Sequence, residues 1–330
     1  MSGDLISRFQ RWVVVAIAVG AACYLGSFLW GGWSDVLTAL RAFQPLYLLP
    51  VVLLTLANYA LRFVKWHYYL RLLGVEMPWR EDALVFTAGL SMAISPAKAG
   101  ELLKPWLVRQ RTGATLDKTI PALVSERATD GIAMVILTAF GIATYASEQV
   151  GALLVLAGGL VAGLVVLASA PITFALLDIA AKVPVVGPRV VPRLRAMYTA
   201  ARTCFAPVPL VVAVALSVVA WFAECVAFWL VFVGLGHPAS LDASTYVYAS
   251  STILGAPSPG GLGVTDGALV VGAVQILGAP DAIAVPGAVI ARLVTLWMGV
   301  LLGTVALFSV SSRLRGPIEL PPHGGGGRSP

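Results

Sequence analysis

Charge is what this chain has least of. Of its 330 residues 12% are charged and 58% are hydrophobic. A soluble domain carries roughly 25% charged residues, so this chain cannot clothe a water-facing surface of ordinary size, and a soluble enzyme is excluded. Cysteine and histidine are sparse too. Cys23, Cys204 and Cys225 sit in or beside apolar runs without paired spacing, which reads as small hydrophobic filler. His67, His237 and His323 are scattered, so no metal site is visible. The glycine-rich stretch 260–263 lacks the Lys-Ser/Thr of a nucleotide P-loop. No cofactor is expected. The net charge of +6 does not indicate nucleic acid, because in a membrane protein the placement of Lys and Arg reports orientation.

What is present is a series of long apolar runs, with a mean hydropathy of +0.88. A spanning helix needs about 20 residues. Segments 12–30, 45–73, 120–146, 150–177, 207–235 and 281–310 each meet that length. Two pairs of shorter arms do not. Segment 81–94 would rise about 21 Å as a helix, short of a hydrocarbon core of about 30 Å. It ends at Ser95-Pro96, and a second short arm, 99–111, follows. Segments 243–256 and 264–277 flank Ser258-Pro259 in the same way. Proline disfavours helix in the residue before it, so each pair reads as a broken-helix, re-entrant hairpin. Such backbone survives at membrane depth only where protein buries it or it lines a wet cavity.

The two breaks match. Ser95-Pro96-Ala97-Lys98-Ala99-Gly100 and Ser258-Pro259-Gly260-Gly261-Leu262-Gly263 share Ser-Pro-x-x-x-Gly. Leu73-Gly74 and Leu235-Gly236 precede them at nearly equal distances, and Glu126-Arg127 and Ala291-Arg292 follow at similar ones. A duplicated unit explains three landmarks in register. With the N-terminus inside, Lys and Arg at 8–11, 71–80, 109–118, 182–202 and 313–328 all fall on the cytoplasmic side, against Arg41 alone outside. This topology has six spans and both termini cytoplasmic. The two hairpins then enter from opposite sides, which makes the repeat inverted, a transporter signature. The expected organisation is a first span with an amphipathic connector (1–44), repeat one (45–148, hairpin 82–111), a linking span and basic connector (149–206), repeat two (207–310, hairpin 243–277) and a disordered cytoplasmic tail (311–330).

The few charges at membrane depth are the candidate site. Asn58, Arg62 and Lys65 share one helix face. They form either a cationic wall for an anionic head group or side chains that snorkel to the interface. Lys98, Glu101 and Lys104 present plus, minus, plus beside a new helix N-terminus, where anions are favoured. Glu126, Arg127 and Asp130 lie inside an apolar run, where each charge costs about 2.5–3.5 kcal/mol near a helix centre. One Arg cannot neutralise two carboxylates, so a further cation, a proton or a substrate amine is implied, with Arg62 or Lys98 as candidate partners. Arg292 would lie roughly 16 Å deep by helical rise, with Glu224 and Asp266 as natural counter-ions and Asn58 a further polar neighbour for the cations. Asp266, after Thr265, is equally a helix cap. Gly260, Gly261 and Gly263 permit close backbone approach.

At these residues the chain resembles the flippase-like membrane domain of lysylphosphatidylglycerol synthases, found also as stand-alone proteins in bacteria and archaea. The likeness rests on 95–101, on Glu126-Arg127-x-x-Asp130 and on Pro259-Gly260-Gly261-Leu262-Gly263, across roughly 45–310. The resemblance implies a non-enzymatic translocase of the prokaryotic plasma membrane. It would move an anionic phospholipid or a lipid-linked head group of polyprenyl-phosphate or aminoacyl-phosphatidylglycerol type between leaflets, passively or coupled to an ion. Its partners would be the lipid and the bilayer, with a second copy or a lipid-biosynthesis enzyme as a further partner, and neither nucleotide nor nucleic acid. The soluble synthase domain of the fusion proteins is missing, so aminoacyl transfer is not implied. Two other readings stay open, a membrane enzyme acting on lipid phosphates and a scaffold for a glycosyltransferase.

Overall fold

In a membrane the backbone must satisfy its own hydrogen bonds, which favours helices. The computed structural model describes residues 37–38, 41–95, 100–145, 151, 154–155, 157–159, 162–163, 169–181 and 187–314, and among these it contains helices and turns but no strand. The expected first span (12–30), Pro96 and Lys98 of the first break, and most of the tail (315–330) lie outside the described residues.

A 3-10 turn at Pro45–Tyr47 leads into α1 (Leu48–Leu72). Two short helices follow, α2 (Trp79–Leu90) and α3 (Leu103–Thr112), and then the 30-residue α4 (Leu116–Tyr145). The second unit repeats this order. The long α7 (Pro207–Gly234) precedes the short α8 (Leu241–Leu254) and α9 (Val264–Gln275). Helix α10 (Asp281–Arg292), a π-turn at Leu293–Trp297 and α11 (Met298–Leu314) then run on as one rod. The long first helix of each unit turns at a glycine with positive φ, Gly74 (69°) and Gly236 (77°). Between the units lie α5 (Ala170–Ala181) and α6 (Gly187–Cys204).

Among the described residues three helical stretches are long and apolar enough to cross a membrane: Pro45–Leu72, Pro207–Gly234 and Asp281–Val310. Helix α4 has the length, but Glu126, Arg127 and Asp130 interrupt its apolar window. Within the expected span 150–177, Ser169 is non-helical and α5 starts at Ala170. Pro171 fits a first turn, where its missing N–H is no loss, and disfavours helix behind it. The basic connector 182–202 is mostly helix α6, with Pro188 at its start and Pro192 inside.

The packing crosses between units. Helices α1 and α7 lie against each other, α2 packs on α11, and α8 packs on α4. Each leading short helix therefore rests on the long closing helix of the other unit. Small residues permit this approach, as is common between membrane helices. A Cβ on Gly141 of α4 would lie 2.6 Å from Tyr246 Cβ of α8, and one on Gly303 of α11 would collide with the backbone of Ser91 at the end of α2. The breaks themselves meet, since a Cβ on Gly260 would lie 2.8 Å from Ile94 Cγ2.

Candidate functional site

Helix α4 delivers Glu126, Arg127 and Asp130 on one side, and α1 and α3 bring cations to them. Lys104 Nζ is 2.5 Å from Glu126 Oε2 and lies over the rings of Trp66 (4.5 Å) and Phe86 (5.0 Å). Lys65 Nζ is 2.5 Å from Asp130 Oδ1. Arg127 reaches Glu101 at 3.3 Å and Asp130 at 3.1 Å, and also binds Glu126. Arg62 is held less closely. Its nearest carboxylate oxygens are 3.7 Å (Glu126) and 3.8 Å (Asp130) away, and its guanidinium lies 5.3 Å from the centre of the Trp221 ring. The further cations implied by two carboxylates beside one Arg are thus Lys65, Lys104 and Arg62.

The second break has its own clamp. Arg292, just before the π-turn, donates from Nε to Asp266 Oδ1 at 2.7 Å and from its guanidinium to the Gly260 carbonyl. Asp266 Oδ2 accepts from the Gly263 N–H at 2.9 Å. Asp266 is therefore both cap and ion partner, and Arg292 ties the two sides of the break together. A planar fork with several donors suits this bridging. The serines stitch each break to its preceding arm. Ser95 Oγ donates to the Met92 carbonyl (2.7 Å) and accepts from the Gly100 N–H (2.9 Å), while Ser258 Oγ donates to the Gly255 carbonyl (2.9 Å).

A cavity of about 120 Å³ lies where the two units meet. Arg62, Glu101, Lys104, Arg127, Glu224 and Arg292 line it, together with Gly260, Gly261 and Thr265. Lys65, Glu126, Asp130 and Asp266 stand behind this lining. Lys65 has no exposed surface, and its ammonium is engaged by Asp130, Ser217, Thr129 and the Glu126 carbonyl. The expectation that Lys65 faces a ligand is therefore corrected: it braces α1 against α4 and α7.

Asn58 and Glu224, the other candidate counter-ions, make their direct bonds elsewhere. Asn58 Nδ2 donates to the Ala220 carbonyl at 2.8 Å, which locks α1 to α7. Glu224 is 2% exposed and accepts from Tyr248 Oη at 2.8 Å, while Asp266 takes Arg292. Sequence reasoning missed the aromatic part of the lining: Tyr59, Phe86, Trp221 and Tyr248. Tyr59 Oη donates to the Thr295 carbonyl within the π-turn at 2.8 Å, and such turns recur at functional sites. Nothing in the apolar runs marks these rings apart from ordinary core residues.

Comparison with known proteins agrees with this architecture. The sequence profile of the lysylphosphatidylglycerol synthase TM region matches residues 12–303. A UPF0104 membrane protein of Methanothermobacter thermautotrophicus is 22% identical over 331 residues, covering 91% of this chain and 97% of the relative. The chain is a helical membrane protein with charged residues gathered between two broken-helix units, and it belongs to the family of the lysylphosphatidylglycerol synthase TM region.

Proposed function

We propose that the protein moves an anionic phospholipid or lipid-linked head group between leaflets, without catalysing its chemistry. The observation that carries this reading is the cavity between the two units, lined by Arg62, Lys104, Arg127 and Arg292. A phosphodiester would take Arg62 and Arg127 from one unit and Arg292 from the other. Guanidinium groups suit phosphate oxygens because they offer paired donors.

The full topology belongs to the same reading. Six spans place both termini in the cytoplasm, with the first broken hairpin entering from the cytoplasm and the second from outside. The exchanged packing of α2 on α11 and α8 on α4 supports this, because rocking of one unit on the other would move both breaks together. The bilayer is a prokaryotic plasma membrane, and a lipid-biosynthesis enzyme or a second copy is the natural partner. A lipid-phosphate enzyme fits less well. The cavity lining contains neither histidine nor cysteine, and His67 instead bonds Asp82 at 2.6 Å outside it.

The test is a proteoliposome assay with fluorescent phosphatidylglycerol, an anionic polyprenyl phosphate and aminoacylated phosphatidylglycerol. Leaflet transfer is read by quenching of the outer leaflet. Transfer of at least one lipid by wild-type protein, lost in Arg127→Gln, is expected. Absence of transfer across the panel, or turnover of a lipid phosphate by pure protein, refutes the reading.

A further inference from the structure

The closest charge partners at the site are four. Glu101 goes with Arg127, Glu126 with Lys104, Asp130 with Lys65, and Asp266 with Arg292. Arg62 is the cation held least closely, 3.7 Å from Glu126 and 3.8 Å from Asp130. Glu224 is the carboxylate left over. Among the described residues it forms no ion pair, and its one hydrogen bond comes from Tyr248 Oη at 2.8 Å. Both line the same cavity.

The surroundings of Glu224 are defined. From α1, Tyr59 and Arg62 face it; from α8, Tyr248; and from α10, Arg292. Cys225 is its neighbour on α7. From α4, Arg127 lines the same cavity, and Asp130 meets α7 at Ser217, two helical turns away. A carboxylate this buried, without an ion partner, is costly in its charged form.

We infer that Glu224 is a proton-binding site that couples protonation of the cavity to binding of one phosphodiester anion. With Glu224 ionised, the five cations and five carboxylates named here balance. With Glu224 protonated, the cluster carries one net positive charge among these groups. A head-group phosphate then restores balance. Proton and anionic lipid enter together, and each raises the affinity for the other, because linkage is reciprocal. This inference rests on the translocase reading and names the coupling ion for it.

The experiment uses purified full-length protein in mild detergent with dihexanoyl phosphatidylglycerol as the probe. Lipid affinity is measured across pH, and proton uptake on binding is read with a pH-sensitive dye in weak buffer. Wild-type protein is expected to take up about one proton per lipid, and its affinity to fall about tenfold per pH unit once Glu224 is ionised in the unliganded protein. Glu224→Gln, a neutral stand-in for the protonated acid, is expected to bind lipid as the wild type does at low pH, with no proton uptake and a flat pH profile. Tyr248→Phe removes the hydrogen bond to the carboxylate, so the midpoint of the wild-type profile moves to higher pH. This second variant keeps the test alive should Glu224→Gln fold poorly. Lipid binding with no proton uptake, or uptake unchanged in Glu224→Gln, overturns the coupling and leaves the translocase reading standing. No binding of this lipid or of the panel lipids at any pH overturns both.

Discussion

Replacing Asp130 by asparagine strands a buried cation. Lys65 Nζ has four oxygen neighbours: Asp130 Oδ1 at 2.5 Å, Ser217 Oγ at 2.6 Å, the Glu126 carbonyl at 3.2 Å and Thr129 Oγ1 at 3.3 Å. Of these atoms only the Asp130 oxygen is anionic. An amide keeps the shape and one acceptor oxygen, so the change removes little but charge. An uncompensated charge near a helix centre costs about 2.5–3.5 kcal/mol, and removal of one member of a buried pair costs about 3–5 kcal/mol. The expected destabilisation is therefore about 3 kcal/mol. Lys65→Met should be gentler, because Asp130 keeps Arg127 at 3.1 Å and Arg62 at 3.8 Å. Its cost should lie near about 1.5–2 kcal/mol, the lower range for a hydrogen bond to a charged group. The double variant removes the stranded cation and should be more stable than Asp130→Asn alone. Equilibrium unfolding of the four proteins in mild detergent measures all of this. If Asp130→Asn lies within about 0.5 kcal/mol of wild type, or if the two single effects simply add in the double variant, Lys65 does not depend on Asp130.

Further outcomes follow from the same geometry. Arg292→Lys should lose lipid transfer about tenfold or more (about 1.4 kcal/mol), since an ammonium cannot span both Asp266 and the Gly260 carbonyl; wild-type transfer rates in proteoliposomes would mean that charge alone matters. Gly303→Ala places a Cβ against the Ser91 backbone and should destabilise by about 1–3 kcal/mol, whereas Gly158→Ala, with open space around it, should leave thermal stability unchanged. Asp178→Ala breaks an ion pair with Arg195 whose side chains are 60% and 48% exposed, so unfolding should shift by less than about 1 kcal/mol.

Much of the architecture is legible in the residues. Ser-Pro-x-x-x-Gly marks a helix break wherever it falls, because proline restricts the residue before it and glycine frees the backbone. Arg127 and Asp130 stand out because an apolar run makes any charge visible, and their pairing at i, i+3 is local geometry. The start of α5 at Ala170 was not legible, because a proline such as Pro171 fits both inside a kinked helix and in the first turn of a new one. Tyr59, Trp221 and Tyr248 were not legible either, since an aromatic ring in an apolar run has the same local pattern whether it faces core, lipid or cavity.

By itself the sequence determined that this is a membrane protein, that it is built from two matching broken-helix units, and that its chemistry sits in a handful of intramembrane charges. Those conclusions depend on composition, chain stiffness and helical period, all of which are local. Only the tertiary structure decided which charge meets which. Lys65 turned away from the cavity to brace three helices, Asp266 rather than Glu224 took Arg292, and Arg62 and Glu224 were left facing the same space. Ion pairing depends on distances of a few ångströms between segments far apart in the chain, and the spacing of residues along the sequence does not carry those distances.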